Sequence, residues 1–509
     1  MTSTPASGDH TETERKYDTG HTARVPVFPE IPGVEQAGEP AETFLEAVYF
    51  DTPGLELSAR RITLRRRTGG TDQGWHLKLP IGPDSRREIH APLGQPDQVP
   101  DKLLEQLAVF IRGKSLTPLA QLSTRRTTYG LYGPGGEHLA DFADDRVHAV
   151  TMRDGGPGSH WREWEIELVQ ASPDLFTAAQ PVLEAAGAMP SSHSSKLARA
   201  LDGSWPAART AVTVKPRKKG PVRDVVAAYV GAQIDELLTY DAGVRREEED
   251  AVHQMRSAAR RIRSVLRTYR SLYKKRAVAR LERDLKWLGR ILGEPRDAEV
   301  MRERILSNLR ALPEAQASGP ALGQIELELG AAYNTGYQRS LDVLSSSRYY
   351  RLLTALERFR DHPPAKRKAS RPARKASARL VNKTARRLER TRRDARRIAG
   401  SPEYDVALHQ VRKAGKRLRH AAESVTDIHG KRARRLEKTG HRIQRVLGKH
   451  QDTVVARELL HRLAAFPDQP AGTAAVYEAL IATEAQTAAE TEAAYRKLGK
   501  KARVKRLHA

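Results

Sequence analysis

The sequence predicts a multidomain chain: an antiparallel β-tunnel unit of the α+β kind, then an all-α bundle of two pseudo-symmetric halves. Three observations predict it. Residues 11–200 alternate apolar and charged side chains with the period of two that belongs to strands. From residue 222 to 498 apolar residues recur at helical spacing instead. Within that second stretch one half repeats the other: VHQMRSAARRIR at 252–263 matches LHQVRKAGKRLR at 408–419, and LERDLKWLGRILGEPRDAEV at 281–300 matches LEKTGHRIQRVLGKHQDTVV at 436–455.

A chain of 509 residues exceeds what one hydrophobic core supports. The expected organisation is a disordered polar start (1–10), a tunnel domain (11–202), a linker (203–221) and a helical domain (222–505) whose halves are 222–361 and 378–505. The basic stretch HPPAKRKASRPARKAS at 362–377 separates those halves. Charge divides along the same boundary. Residues 1–210 carry 22 Lys/Arg against 28 Asp/Glu, whereas residues 211–509 carry 66 against 34. A helical half with that excess attracts polyanions: nucleic acid, polyphosphate or an anionic surface.

The opening MTSTPASGDH lacks an apolar leader, and no run approaches the roughly twenty apolar residues of a membrane span. A cytoplasmic location with no membrane partner is the expectation. With no cysteine, disulfides, thiolate metal sites and cysteine nucleophiles are excluded, so any metal is held by oxygen or histidine.

Five strand segments put specific charges on one face and apolar residues on the other. Glu12, Glu14 and Lys16 share a face; Thr63, Arg65 and Arg67 oppose Ile62 and Leu64. His76 and Lys78 oppose Trp75, Leu77 and Leu79, while Arg86 and Glu88 oppose Ile89. Glu163, Glu165 and Glu167 oppose Trp164, Ile166 and Leu168. Two strong faces of different character point to a closed sheet, apolar outside against helices such as 99–111 and charged within. Acid pairs facing Arg and Lys suit a hard divalent cation bridging to phosphate oxygens.

The ordered set Glu12-Thr13-Glu14-Arg15-Lys16, Tyr49-Phe50-Asp51-Thr52, Arg65/Arg67, Lys78, Arg86/Glu88, Arg126 and Glu165/Glu167 resembles the CYTH, or triphosphate tunnel metalloenzyme, superfamily. The resemblance implies an eight-stranded antiparallel tunnel that hydrolyses or cyclises triphosphate compounds with Mg2+ or Mn2+. It assigns Glu12, Glu14, Glu165 and Glu167 to the metal, with Asp145 a further metal-side carboxylate beside Asp144 and Asp141. It assigns Lys16, Arg65, Arg67, Lys78, Arg126 and Lys196 to phosphate oxygens. Arg126 is preferred to Arg125 because Tyr129 and Leu131 hold the opposite parity.

In the helical half, about 100° per residue places His253, Arg256, Arg260, Arg263 and Arg267 within roughly an 80° arc, away from Met255, Ile262, Leu266 and Tyr269. His409, Arg412, Lys416 and Arg419 repeat the stripe. Cations so arranged repel one another, and an anionic ligand relieves that repulsion. The duplicated pattern resembles the CHAD (conserved histidine α-helical) domain, often fused behind CYTH. This implies that His253, Arg256, Arg260, Arg263, His409, Arg412, Lys416 and Arg419 line a groove for inorganic polyphosphate.

The combined expectation is a polyphosphate-binding protein, associated with polyphosphate granules, whose tunnel hydrolyses inorganic triphosphate or a related small triphosphate. A non-catalytic polyanion receptor and a nucleotide cyclase are the alternatives. Nucleic acid is the lesser candidate partner, because the stripes carry no interleaved aromatics and no Asn or Gln aimed at base edges.

Overall fold

The computed structural model describes residues 9–152, 158–208, 215–313, 319–467 and 472–501, with 504 and 506–508. It divides into two compact units, 1–210 and 211–509. Residues 1–8 of the expected disordered start lie outside the described residues, while Asp9 and His10 already belong to the first strand.

The first unit holds β1 (Asp9–Thr19), β2 (Gln36–Ala37), β3 (Ala41–Asp51), β4 (Thr63–Thr68), β5 (Gly74–Pro80), β6 (Ser85–Ala91), β7 (Thr117–Tyr132), β8 (His138–Thr151), β9 (Ser159–Leu168) and β10 (Ala188–Pro190). All pairings are antiparallel, in the order β1-β6-β5-β4-β3-β7-β8-β9, and β9 returns to β1 through Glu14 opposite Glu167. Eight strands thus close into a barrel with no exposed edge among them, while β2 and β10 extend β7 and β1.

Parity fixes the register, because a slip of one residue would turn every apolar side chain inward. Outside the barrel Leu64, Trp75, Leu77 and Ile89 pack on Leu103, Leu107 and Ile111 of α1 (Asp101–Ile111). Elsewhere Tyr17, Phe142, Trp164 and Ile166 pack on Phe176 and Leu183 of α2 (Asp174–Ala185). Each such buried side chain contributes about 1.5–3 kcal/mol, so the outer face stabilises the barrel and leaves the inner face for charge. A third cluster lies within. Leu197 and Leu201 of α3 (Lys196–Leu201) pack with Ala47, Leu122, Val147, Ala149 and Trp161, which share the inward parity, so α3 stops one end of the barrel.

The sequence predicts short strands, yet β7 runs 16 residues and β8 runs 14. The reason is pairing: β7 ladders with β3, β2 and β8 along its length.

The second unit is helical: α4 (Val222–Arg245), α5 (Ala251–Tyr269), α6 (Lys275–Ile291), α7 (Gly293–Arg310), α8 (Gly319–Leu344), α9 (Ser347–Asp361), α10 (Ala373–Arg397), α11 (Tyr404–Glu423), α12 (Thr426–His429), α13 (Lys431–Ala464) and α14 (Thr473–Lys501). Helix α10 begins inside the basic stretch, ahead of the predicted second-half boundary at 378. Separate helices expected at 431–448 and 452–465 form one, the 34-residue α13. The matching segment of the first half is divided into α6 and α7. Pro295, which stands where His450 stands in the repeat, lacks the N–H that a continuous helix needs, so the helix ends and restarts around it. Helix α5 packs on α4 and α11, and α11 packs on α13. The α11–α13 crossing is close: a Cβ at Gly440 would lie 2.8 Å from the Gly415 carbonyl oxygen.

Candidate functional site

Strand parity turns the predicted tunnel residues into a cavity of about 520 Å³, lined by Glu12, Glu14, Lys16, Arg65, Arg67, Lys78, Arg126, Glu165, Glu167 and Lys196. Every predicted tunnel residue except Asp145 lines it. The β7–β8 register sets Arg126 opposite Asp145, and Asp141, of the same parity, stands opposite Glu167 on β9. Asp144 instead faces outward, where it accepts from Arg162 at 2.7 Å. Arg125 likewise points outward and pairs with Glu42.

Asp145 is fully buried and accepts two hydrogen bonds from Arg126, at 2.8 and 2.6 Å. Its other partner is Lys196. The Ser195 hydroxyl caps α3 by accepting from the Ala198 N–H, which sets Lys196 on the first turn. From there the ammonium reaches Asp145 at 2.7 Å, Glu163 at 2.8 Å and Glu165 at 2.7 Å. These three carboxylates are close enough together to hold a cation, and the Lys196 ammonium fills that role. Asp145 thus stands with Glu163 and Glu165 in a buried acidic cluster whose charge Arg126 and Lys196 balance here. Glu165 is similarly engaged by Lys16, Lys196 and Arg126, and these cations overcome burial to hold its carboxyl well below the usual range.

The other acids are less well balanced. Lys78 sits 2.6 Å from Glu12 and 3.5 Å from Glu88, and Lys16 sits 2.9 Å from Glu14. Burial would raise Glu14, but Lys16 and Lys78 lower it to about 2. Glu167 stands directly across from Glu14 and takes part in no salt bridge among the described residues. Burial, then the charges of Glu12 and Glu14, push it up to about 7. Glu14 and Glu167, opposed across β1 and β9 with Glu12 beside them, offer oxygen donors of the kind a hard divalent cation takes, and the carboxylates drawn close enough to share an ion are those of Asp145, Glu163 and Glu165.

The facing wall is cationic. The Arg65 guanidinium donates to the Tyr49 hydroxyl at 3.3 Å, and Arg67 pairs with Asp72. Burial and the neighbouring Arg65 and Arg126 bring Arg67 down to about 9. The Nε atoms of Arg65 and Arg67 are buried without a hydrogen-bond partner. These donors await an acceptor.

Three further residues on the inward faces, named in the sequence without a role, act through their neighbours. Glu88 accepts from His76 at 2.6 Å, Glu163 holds Lys196, and Tyr49 buttresses Arg65. All three share the inward parity of assigned residues, which was the signal available. The Asp51 side chain of the Tyr-Phe-Asp-Thr motif instead accepts from the N–H groups of Thr52, Leu57 and Ser58, so it shapes the turn that follows β3.

In the second unit α5 and α11 bring the two stripes together. Lys416 is pushed down to about 7 by burial and then by Arg260, Arg412, Arg256 and Arg263, cations from both halves. Arg260 is lowered to about 10 by burial, Arg256 and Arg412. His253 and His409 are lowered chiefly by burial, so both imidazoles sit neutral at the heads of the stripes. The Nε atoms of Arg256, Arg260, Arg412 and Arg419, and Nδ1 of His409, are buried without a partner. Arg256 pairs with Asp297 at 2.7 Å, and Arg419 reaches Gln444 at 3.5 Å.

The duplication extends to the support beneath the stripe. A Cβ at Gly293 would lie 3.1 Å from the Arg256 guanidinium, and one at Gly448 would lie 3.7 Å from that of Arg412. Both glycines stand in the repeated Leu-Gly segments: Gly293 leaves room for the Arg256 guanidinium, while a Cβ at Gly448 would meet that of Arg412 at ordinary contact distance. The sequence match contained them, but only the packing gives them a role.

A family model of the CYTH domain matches residues 11–201, and one of the CHAD domain matches residues 228–461. Two Mycobacterium tuberculosis proteins, each described as uncharacterized, are 38% identical over 520 residues, covering 98% of this chain and 98% of their own length. Among solved structures, PptA from Streptomyces chartreusis is 24% identical with a TM-score of 0.47, over 55% of this chain and 99% of its own. The CHAD domain from the plant Ricinus communis is 25% identical with a TM-score of 0.47, over 58% of this chain and 98% of its own.

Proposed function

The chain belongs to the CYTH family through residues 11–201 and to the CHAD family through residues 228–461, and from that premise we propose a polyphosphate-binding protein whose tunnel hydrolyses inorganic triphosphate or a related triphosphate with Mg2+ or Mn2+. The carrying observation is the pairing of Glu167, at about 7 among Glu12 and Glu14, with buried unpartnered donors on Arg65 and Arg67.

Glu12, Glu14 and Glu167, with Glu165 beside them, would hold the metal. A divalent ion there supplies Lewis-acid polarisation of a phosphoryl oxygen. Arg65, Arg67 and Lys78 hold the phosphate oxygens and offset the charge that accumulates as the phosphoryl group transfers. Asp145 fixes the Arg126 guanidinium through its two hydrogen bonds, and Lys196 keeps Glu163 and Glu165 from repelling each other. Those contacts set the geometry before substrate arrives, which is where most of such catalysis originates.

Release of phosphate from tripolyphosphate with Mg2+ or Mn2+ tests the proposal. Glu167→Gln is the cleanest variant, because Glu167 leaves no cation stranded. Glu165→Gln would release Lys16 and Lys196 into a buried site and endanger folding. Retained turnover in Glu167→Gln would refute the metal assignment. Replacing Arg65 or Arg67 should weaken triphosphate binding more than metal binding; equal losses would reduce the two walls to one ion-pair network.

For the groove, Arg256, Arg260, Arg412 and Lys416 changed together to Ala should remove most polyphosphate affinity. Four exposed cations removed elsewhere should cost much less. Equal losses would reduce the binding to net charge.

A further inference from the structure

Two basic segments have no part in the stripe: the linker through Arg217-Lys218-Lys219 and the interruption through Lys366-Arg367-Lys368. The structure joins them. The Ala373 N–H donates to the Gly220 carbonyl at 2.7 Å, Arg374 N–H to Lys218 at 3.0 Å, and Val222 N–H to Arg371 at 2.9 Å, around an antiparallel bridge between Pro221 and Pro372. The interruption is pinned at its other end too, by Lys366 N–H to Leu272 at 2.7 Å and Lys274 N–H to Pro364 at 2.9 Å. Between the pins Ala369 is fully buried, so the turn is held down by its small apolar residue while Arg367 and Lys368 face outward.

Helices α10 and α13 begin at the same place. The His429 imidazole meets the Ser377 hydroxyl at 3.1 Å, and burial followed by Arg374, Arg432 and Lys218 lowers its pKa, which places loop, α10 and α13 cations around one ring. Neither helix has an acidic residue in its first turn; Arg374 and Arg432 stand there instead. Cations at two positive helix ends oppose the usual preference for carboxylates. Lys218, Lys219, Arg367, Lys368, Arg374 and Arg432 are all exposed, and none takes part in a salt bridge among the described residues.

We infer that this pinned surface is a second binding site for the phosphate polymer proposed to occupy the groove, and so it rests on that reading. The six cations carry no aromatic or amide side chain among them to stack on or read a base, which favours inorganic polyphosphate over nucleic acid. The surface follows the C-terminal end of α11 in the chain, and none of its six cations belongs to the stripe, which ends at Arg419. A polymer that reaches both gains from effective concentration; a short one occupies the groove alone.

The test uses the full chain and fluorescence anisotropy with labelled polyphosphate of about 10 and about 200 phosphates, beside a DNA strand of about 12 bases, of about the same charge as the short chain. The variant Lys218→Ala/Arg367→Ala/Lys368→Ala/Arg374→Ala changes exposed side chains only, and circular dichroism checks its helix content. The expected result is about a tenfold loss of affinity for the long chain, a shallower salt dependence, and a change under twofold for the short chain. An unchanged long-chain affinity overturns the second site, as does an equal loss for both lengths. Loss of DNA binding with polyphosphate binding intact overturns it in favour of nucleic acid. The groove variant of the preceding subsection separates the two readings: if it binds as tightly as wild type while the loop variant does not, the groove reading fails and the second site stands.

Discussion

The tunnel and the helical groove both bury cations, yet they balance them in opposite ways. In the tunnel, Lys16, Lys78, Arg126 and Lys196 each touch carboxylates, and these acids support their charge. In the groove, Lys416 faces four arginines and is pushed down to about 7. A charge-balanced cavity holds an anion well only when another cation arrives with it. A charge-deficient groove draws an anion directly. On the proposed function, the two units are two solutions to phosphate recognition, one through a metal and the other through unscreened side chains.

The largest expected difference follows from metal removal. A chelator should lower tripolyphosphate hydrolysis by more than about 10³-fold while polyphosphate affinity changes less than about twofold. Parallel losses in the phosphate-release and anisotropy measurements would break the comparison.

Salt should act the other way. With about six stripe contacts released, raising salt from about 50 to 200 mM should weaken polyphosphate binding by roughly 10²–10³-fold, whereas KM for triphosphate in the enclosed tunnel should move only a few-fold. Similar slopes for both would mean that the groove is already neutralised from within.

A smaller effect separates protonation of the groove from simple charge. Polyphosphate favours charged Lys416, so affinity should fall about tenfold between pH 6 and 8 as the free-state group, at about 7, loses its proton. Lys416→Arg should flatten that dependence, since arginine stays protonated. Stability runs the opposite way. Because folding depresses this lysine, the unfolded chain binds more protons between pH 7 and its ordinary value near 10.5, and the unliganded fold gains stability as pH rises through that window. Urea denaturation at pH 7 and 9 reads the trend.

The smallest effect belongs to the tunnel. With Glu167 raised to about 7, protons compete with metal below that pH, so half-saturating Mg2+ should rise a few-fold from pH 8 to 6. Glu167→Gln should remove the competition. A pH-independent metal requirement in wild type would place the ion elsewhere.

Much of this contrast was legible in the sequence, because inward parity and the 80° stripe depend only on local periodicity. Glu163 and Glu88 lay on the correct faces, but their partners Lys196 and His76 are fixed by strand register and by a helix that arrives from further along the chain. The partners of Asp145 were hidden for a related reason: parity says that a carboxylate faces inward, not that an arginine on the adjacent strand and a lysine on α3 engage it. Helix continuity was also hidden. Lys449-His450-Gln451 resembles a break because its repeat partner contains Pro295, yet nothing in the segment itself interrupts α13. Gly293 and Gly448 needed the packing of an arginine across them before their spacing meant anything.

Helix α3 leaves one further consequence. With Leu197 and Leu201 stoppering one end among inward-facing Val147 and Trp161, the barrel is a blind chamber on that side rather than a thoroughfare. For the hydrolysis proposed above, traffic would then reverse: a phosphate compound would enter and its fragments would depart by the same doorway. A linear polymer cannot thread such a chamber, and only its tip can be admitted. Fragments that linger would obstruct the next arrival, so departure rather than bond cleavage becomes the natural place for turnover to slow.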